Sequence, residues 1–375
     1  MRISVVGCTL IASLTVTTLG GCSGTGPQVP MTASAGAVQS AGSGHLPKPS
    51  AEMIAMTTRE HILPGPQRLV TKSWMSPAAK HTQYLLYVSD QPAGTVDVYA
   101  YKSKKGNLLG QLAGFQFPYG ECLDSASNVY ITDFAAAQIL EFAHGGTNPI
   151  KTLSDTYGYP IGCSVDPTTG NLAVANFEGN QTTCMGGIVV YAGASGDGTL
   201  YQDKDFNYYW PPGYDSQGNL YVEGKKKYQH GKTGVAMLAA GGSTLTTLSL
   251  SGGTISYPGG MMWDGHYMTA TDQAYQGGHS SGIYRLTASG SAGQIVGATE
   301  LTDGCMKGSV AYNDVVQPWV NGTARPDHAV VAGNLACTYR YPFWNYIKGG
   351  DPKRTLPYNL SPQLAYGQTV SDMKR

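Results

Sequence analysis

From residue 81 onward, short apolar runs alternate with Gly, Asn, Asp and Pro. Runs such as 85–89, 96–99 and 108–112 are rich in Val, Leu and Tyr, residue types that favour β-strands. The separators between these runs are residue types that favour turns. The pattern therefore predicts a domain built from many short strands joined by tight turns, and it argues against a long helical protein.

These strand-type runs recur with a period of about 40–50 residues, the spacing of a repeat architecture. The clearest copy has a Pro-x-Gly element at 118–120, Asn-Val-Tyr at 128–130 and Ile-Leu-Glu-Phe at 139–142. Later copies begin near Tyr159, Pro211, Tyr257 and, in degenerate form, Val315. Each copy contains four strand-type runs, which is the content of one blade of a β-propeller.

The first blade lacks its innermost strand at the N-terminal end, where only three runs precede the first full copy. Residues 362–371 contain a similar strand at the other end of the chain. We therefore predict an all-β, six-bladed β-propeller whose first blade is closed by a C-terminal strand. Such closure removes exposed sheet edges. Residues 81–371 divided among six blades give about 48 residues each, a normal blade length.

The Pro-x-Gly…Asp, Gly-Asn-Leu-Tyr-Val and Ile-x-x-Phe elements resemble those of NHL-repeat six-bladed propellers. More loosely, the chain is similar to the gluconolactonase/regucalcin-like group. The resemblance covers roughly residues 81–371. It implies the propeller fold, and the lactonase-like group implies carboxylate and amide metal ligands at the mouth of the central pore.

In a propeller blade the second strand returns to the face on which the innermost strand begins. Polar residues that end second strands should therefore lie beside the Pro-x-Gly elements. Asp133 and Asn176 are candidates of this kind, and Asp272 lies close to the same place. Glu121 joins them from the start of an innermost strand, one residue past the Pro-x-Gly glycine. One interpretation is that such residues bond their own turn backbone. The other is a pore-mouth metal site, in which converging oxygens would suit one calcium ion.

Charge is sparse and balanced, with 24 basic and 24 acidic residues and 13% charged residues overall. The absence of a net positive field excludes a nucleic-acid binder that works through a basic surface. Lys225, Lys226 and Lys227 with His230 form a basic cluster, which is either a solvated loop or an attractor for an anionic ligand.

Several aromatic residues stand near predicted strand ends and either bind a ligand or fill the space between blades. They are Tyr208, Tyr209, Trp210, Trp344 and Tyr346.

The N-terminus has the features of an exported lipoprotein. A basic Arg2 precedes an apolar stretch that ends in Leu19-Gly20-Gly21-Cys22, which resembles a bacterial lipobox. We predict a signal peptide over 1–21, lipid attachment at Cys22, a flexible tether over 22–80, a propeller over 81–371 and a tail over 372–375. The tether prediction rests on the Gly, Ser, Ala and Thr content of its first half. The protein is thereby placed in the cell envelope, facing the periplasm or the exterior.

Five cysteines follow the lipid attachment site. A domain outside the cytoplasm can keep disulfides. Assuming that cysteines of one blade pair with each other, we predict the disulfides Cys163–Cys184 and Cys305–Cys337. Cys122 is then left over, and we interpret it as a small buried hydrophobic residue.

Two functions remain open from the sequence. The first is a binding or scaffold module, held at the membrane by its lipid, whose partner is a small molecule, a cell-wall polymer or a protein. The alternative is a metal-dependent, lactonase-like hydrolase with its site at the pore mouth, where a metal would polarise a carbonyl group or activate water. Nucleic acid is not expected as a partner of either.

Overall fold

The computed structural model describes residues 72–373, apart from positions 92, 104–105, 181–184, 227–231, 279, 303–310, 321–322, 335–339, 346–347, 352–353 and 358–364. In the strands between residues 311 and 366 the description is limited to the backbone. Within these residues the protein is an all-β propeller, as the strand pattern predicted.

The described strands form six sheets, which we number as blades in chain order. Blade 1 contains β1 (Trp74–Met75), β2 (Tyr84–Asp90), β3 (Thr95–Ala100), β4 (Leu108–Ala113) and β27 (Ala365–Asp372). Blade 2 contains β5 (Pro118–Leu123), β6 (Val129–Asp133), β7 (Gln138–Phe142) and β8 (Pro149–Ser154). Blade 3 contains β9 (Gly158–Val165), β10 (Leu172–Gly179), β11 (Gly187–Tyr191) and β12 (Thr199–Tyr201).

The other three sheets follow the same plan. Blade 4 contains β13 (Phe206–Tyr209), β14 (Gly213–Tyr214), β15 (Leu220–Lys226), β16 (Thr233–Leu238) and β17 (Leu245–Thr247). Blade 5 contains β18 (Ser249–Ser251), β19 (Pro258–Trp263), β20 (Met268–Ala274), β21 (Ser280–Ser289) and β22 (Ala292–Leu301). Blade 6 contains β23 (Ala311–Val320), β24 (Thr323–Asn334), β25 (Arg340–Asn345) and β26 (Arg354–Pro357). Short helical turns occur at Pro77–His81, Ala192–Ala194 and Tyr275–Gly278.

The innermost strands form a closed ring. Each of β27, β5, β9, β14, β19 and β23 contacts the next, and β23 contacts β27 again. Strand β27 pairs antiparallel with β2, so the C-terminal strand completes the first blade as predicted. The core lies between neighbouring blades, where apolar side chains of adjacent sheets pack face to face.

Side chains also fasten the closing strand. Ser371 on β27 donates its hydroxyl to the Ser127 carbonyl, 2.8 Å away, and lies 2.7 Å from His144 Nδ1. The other ring nitrogen of His144 lies 2.9 Å from the Thr82 carbonyl, just before β2. One histidine of blade 2 therefore touches both chain segments that meet in blade 1.

Glycines of the Pro-x-Gly elements allow the innermost strands to approach one another. A Cβ atom added at Gly162 would lie 2.6 Å from Pro211 Cγ of the next blade, and one at Gly213 would lie 2.7 Å from the Met261 carbonyl oxygen. Both distances are shorter than real Cβ contacts, so a larger residue would push the blades apart. The repeated glycine is thus required by the narrow centre of the ring.

The hairpin turns opposite these strand starts repeat one arrangement. Asp215 accepts the backbone N–H groups of Gln217 and Asn219 at 2.8 and 2.9 Å, and the Asn219 amide donates to its second oxygen at 2.8 Å. Gly218 between them has a φ of 82°, a conformation that glycine adopts without strain. The Asp-x-x-Gly-Asn element therefore makes the tight hairpin that its residues predict.

Residues before the predicted boundary at 81 form part of the propeller. Strand β1 pairs with β4 on the outer edge of blade 1, and the Ser76 N–H donates to the Leu109 carbonyl at 2.7 Å. Trp74 and Met75 thus extend this sheet, and we place them with the propeller. Among the described residues, no helix has both the length and the apolar character needed to cross a bilayer.

The described disulfide joins two blades. Cys122 on β5 bonds Cys163 on β9, with 5.5 Å between their Cα atoms and a sequence separation of 41. The predicted Cys163–Cys184 pair is therefore wrong, and so is the interpretation of Cys122 as an unbonded hydrophobic residue. The prediction assumed pairing within a blade, whereas the ring places the innermost strands of neighbouring blades side by side. Cys184 and the predicted Cys305–Cys337 pair lie outside the described residues.

Candidate binding site on the start face

We call the face on which the innermost strands begin the start face. Asp133, the last residue of β6, accepts the backbone N–H groups of Gln116 and Phe117 there, each at 2.8 Å. These two residues lead directly into β5. The end of a second strand therefore lies beside the start of an innermost strand, as predicted. Burial raises the pKa of Asp133, although the backbone hydrogen bonds act in the opposite direction.

Asp272 has the same role in blade 5. It accepts the backbone N–H groups of Ser256 and Tyr257 at 2.8 and 2.9 Å, and that of Ala274 at 2.9 Å. Its carboxylate thus joins the segment before β19 to the last residue of β20. For both aspartates the observed hydrogen bonds correspond to the turn interpretation rather than to a ligand site.

Asn176 lies within β10, three residues before its end, and bonds an acid that sequence reasoning missed. Its amide donates to both carboxylate oxygens of Asp155, each at 3.1 Å. Asp155 also accepts the Tyr157 and Gly158 backbone N–H groups, at 2.9 and 3.3 Å. Burial raises the pKa of Asp155 to about 6. An Asp two residues before a Tyr-Gly turn was the available signal, because Asp commonly bonds the backbone two residues on.

Glu121 lies deeper, between blades 1 and 2. Its Oε1 accepts the Ser89 hydroxyl at 2.6 Å, and a Cβ atom added at Gly367 on β27 would touch its Oε2. The side chain is buried, and Oε2 has no hydrogen-bond partner in the described part of the chain. Burial therefore raises the pKa of Glu121 well above its ordinary value. Glu121 is thus a buried acid whose surroundings favour its neutral form.

We expect Glu121→Gln to be more stable than the wild type at pH 8. The raised pKa lets the folded state keep the Glu121 proton to a higher pH than the unfolded chain, which releases it above about pH 4.3. The contribution of this group to the free energy of unfolding therefore falls as the pH rises from there toward the folded-state pKa. Urea unfolding of both proteins at pH 5 and pH 8 measures the effect. A larger pH dependence in Glu121→Gln than in the wild type would contradict it.

The structure does not bring the predicted calcium ligands together. Asp133, Asn176 and Asp272 belong to three different blades and bond their own surroundings, while Glu121 is enclosed between blades. No three His, Cys, Asp or Glu side chains, within the ranges that the structure describes, form a group that could hold a metal ion. The ring instead fixes each of these four side chains at its own blade junction.

Aromatic residues precede the proline of the innermost strand in four successive blades. They are Phe117, Tyr159, Trp210 and Tyr257. Ring contacts join them in two groups, the first through Phe134 after β6 and the second through Phe177 on β10 and Tyr208 on β13. Ring centroids lie 5.8 Å apart for Phe117–Phe134, 5.3 Å for Phe134–Tyr159, 4.9 Å for Phe177–Tyr208, 5.1 Å for Phe177–Trp210 and 5.9 Å for Trp210–Tyr257. Packed aromatic rings thus lie beneath the start face.

The exposure of the predicted binding aromatics differs, and Tyr257, which was not among them, resembles Tyr208 in this respect. Tyr209 is buried and its hydroxyl accepts the Asp203 N–H at 2.6 Å, and Trp210 is also buried, so both fill space between blades. Tyr208 and Tyr257 are only partly buried. Their rings therefore offer contact area on the start face. The side chains of Trp344 and Tyr346 lie outside the described part of the protein.

Charged groups flank these two tyrosines. The Lys225 ammonium lies 4.4 Å from the centre of the Tyr257 ring, a cation–π contact. The Tyr208 hydroxyl is hydrogen-bonded to Glu178, whose pKa burial raises while this bond lowers it. The site therefore combines amphipathic aromatic surface with one fixed charge of each sign, a composition found in protein interfaces.

Comparison with known proteins supports the fold. No family model and no curated protein sequence matches this chain. Among solved structures, a chain of the nidogen/laminin complex is similar with a TM-score of 0.56 and 13% sequence identity. The match covers 78% of this chain and 100% of that chain. At this identity the likeness shows the fold alone, a β-propeller.

Proposed function

We propose that this protein is a lipid-anchored, extracytoplasmic propeller of the NHL-repeat type whose start face binds another protein. The observation that carries the proposal is the pair of partly exposed tyrosines, Tyr208 and Tyr257, backed by packed aromatic rings. Tyrosine contributes a large contact area at a low entropic cost, which makes it frequent at binding surfaces. The nidogen/laminin structure supports the proposal as a complex that contains a chain of this fold.

Two features support the extracytoplasmic location. The sequence ending at Cys22 resembles a lipobox, and Cys122 and Cys163 form a disulfide, which persists mainly in oxidising compartments. A flexible Gly- and Ser-rich tether between the lipid and the propeller would let the start face reach partners beyond the membrane surface.

A protein partner fits this surface better than a substrate does. Asp133 and Asp272 are engaged by backbone N–H groups, and Glu121 is enclosed. These acids are therefore poorly placed to act on a bound substrate as general acid or base. An extended aromatic surface with flanking charges, by contrast, can bind a protein partner without any reactive group.

Site-specific photo-crosslinking in cells tests the proposed function. Ser256 and His266 are both exposed and stand beyond opposite ends of β19. A photoreactive phenylalanine analogue at position 256 should give a specific crosslinked protein, because that position adjoins Tyr257. The same analogue at position 266 is the matched control on the opposite face. Crosslinks from position 266 alone, or from neither position, would overturn the proposal.

A further inference from the structure

A hairpin on the start face presents three lysines. Lys225 and Lys226 end β15, and Lys232 directly precedes β16; we call these three residues the lysine hairpin. The Lys226 N–H donates to the Lys232 carbonyl at 2.8 Å, so these two residues lie opposite each other. Like charges placed directly opposite on neighbouring strands destabilise the pair. The charges of Lys226 and Lys232 therefore repel each other, and an anionic partner bound between them would reduce this repulsion.

The neighbouring acids do not neutralise this charge. Neither Lys226 nor Lys232 has a side-chain ion pair with any residue that the structure describes. Asp205, beside the start of β13, is paired with Lys204 at 3.3 Å. Glu178 is bonded to the Tyr208 hydroxyl. In a chain with no net charge, the lysine hairpin is thus a local excess of positive charge.

The third lysine, Lys225, is held in place beside the partly buried Tyr208 and Tyr257. Its ammonium donates to the Thr233 hydroxyl and to the Ser256 carbonyl, each at 3.1 Å, while it covers the Tyr257 ring. Lys225 also pairs across the sheet with Tyr208. The positive charge and the aromatic contact area are therefore parts of one continuous surface.

We propose that the lysine hairpin, with Tyr208 and Tyr257, is the docking surface for an acidic segment of a protein partner. This proposal rests on the proposed function and names the chemistry of its partner. A protein segment fits better than an anionic membrane for two reasons. A segment can place a neutral or basic residue beside Glu178, which a uniformly anionic bilayer cannot do. Partly buried tyrosines also cannot insert as exposed Trp, Phe or Leu side chains do in membrane-binding elements.

Binding of a short fluorescein-labelled peptide rich in Glu and Asp tests this proposal, with the Gln/Asn version of the peptide as ligand control. The disulfide-bonded chain should bind the acidic peptide, more tightly at low ionic strength, and not the neutral one. Lys226→Glu combined with Lys232→Glu should weaken binding by at least about tenfold. This variant keeps two like charges opposite each other, so the hairpin itself is perturbed little.

Lys80→Glu is the matched control protein, because Lys80 is exposed on the short helical turn Pro77–His81 beside blade 1. It should bind the acidic peptide like the wild type. Equal loss in both variants, unchanged binding in the double variant, or no binding of the acidic peptide would overturn the proposal. Phosphatidylglycerol vesicles that bind through the same lysines while the peptide does not would replace it with a membrane role. The crosslinking experiment tests the proposed function separately. A specific crosslink at position 256 would support protein binding by the start face even if the peptide experiment overturned the acidic-segment proposal.

Discussion

The double variant Cys122→Ser/Cys163→Ser is expected to lose about 4 kcal/mol of unfolding free energy relative to the oxidised wild type. The disulfide closes a loop of 41 positions, and the chain-entropy relation for cross-links gives a value of that size for such a loop. Both cysteines are buried, so the two serine hydroxyls add a further cost of burying polar groups. Guanidinium unfolding followed by tryptophan fluorescence measures the difference.

Reduction of the wild type separates the two contributions. A reducing agent breaks the cross-link without introducing hydroxyl groups, so reduced wild type should lose nearly the same stability as the double variant. Because the disulfide joins innermost strands of blades 2 and 3, its loss should also lower the cooperativity of unfolding between these blades. A loss below about 1 kcal/mol in both samples would contradict the assigned cross-link.

Gly367→Ala is expected to destabilise the protein by about 3 kcal/mol. A Cβ atom at this position of the closing strand would overlap the Tyr119 carbonyl oxygen, the Gly120 Cα atom and Glu121 Oε2 of blade 2. Two of these are backbone atoms of an innermost strand, which cannot move aside by changing a rotamer. Overpacking at such a place forces the strands apart, at the upper end of the usual cost. Thermal unfolding measured by circular dichroism detects the loss.

Gly241→Ala is the control for this variant. Gly241 has a φ of 67° in a turn, and a Cβ atom there would meet nothing within 4 Å. It should therefore lose only about 1 kcal/mol, the cost of a left-handed backbone for alanine. Equal losses for the two variants would mean that the ring is not closed as tightly as described.

The sequence predicted most of the fold because the propeller repeats one local pattern. The spacing of Pro-x-Gly and Asp-x-x-Gly-Asn located innermost strands and hairpins, and the missing first strand indicated closure by the C-terminus. Side chains such as Asp215 form these turns with residues two to four positions away, so their role is local. Local chemistry is what a single sequence reveals best.

Contacts between blades were harder to predict. The Cys122–Cys163 bond and the burial of Glu121 beside Gly367 both depend on how innermost strands of neighbouring blades pack. The repeat period alone does not give that packing. The same holds for Asp155, which reaches Asn176 across a connection between blades. The same packing separates the candidate metal ligands, because strand ends that are equivalent in sequence lie in different blades around the ring.

The closed ring places Cys122 and Cys163 on neighbouring innermost strands, and the proposed location outside the cytoplasm would keep them bonded. Mass spectrometry of unreduced, proteolysed protein isolated from the cell envelope tests it most directly. We expect a cross-linked peptide pair that contains Cys122 and Cys163. These residues meet only when blades 2 and 3 are packed, and an oxidising compartment preserves their bond. Free thiols at both positions, or a bond between Cys163 and Cys184, would contradict it.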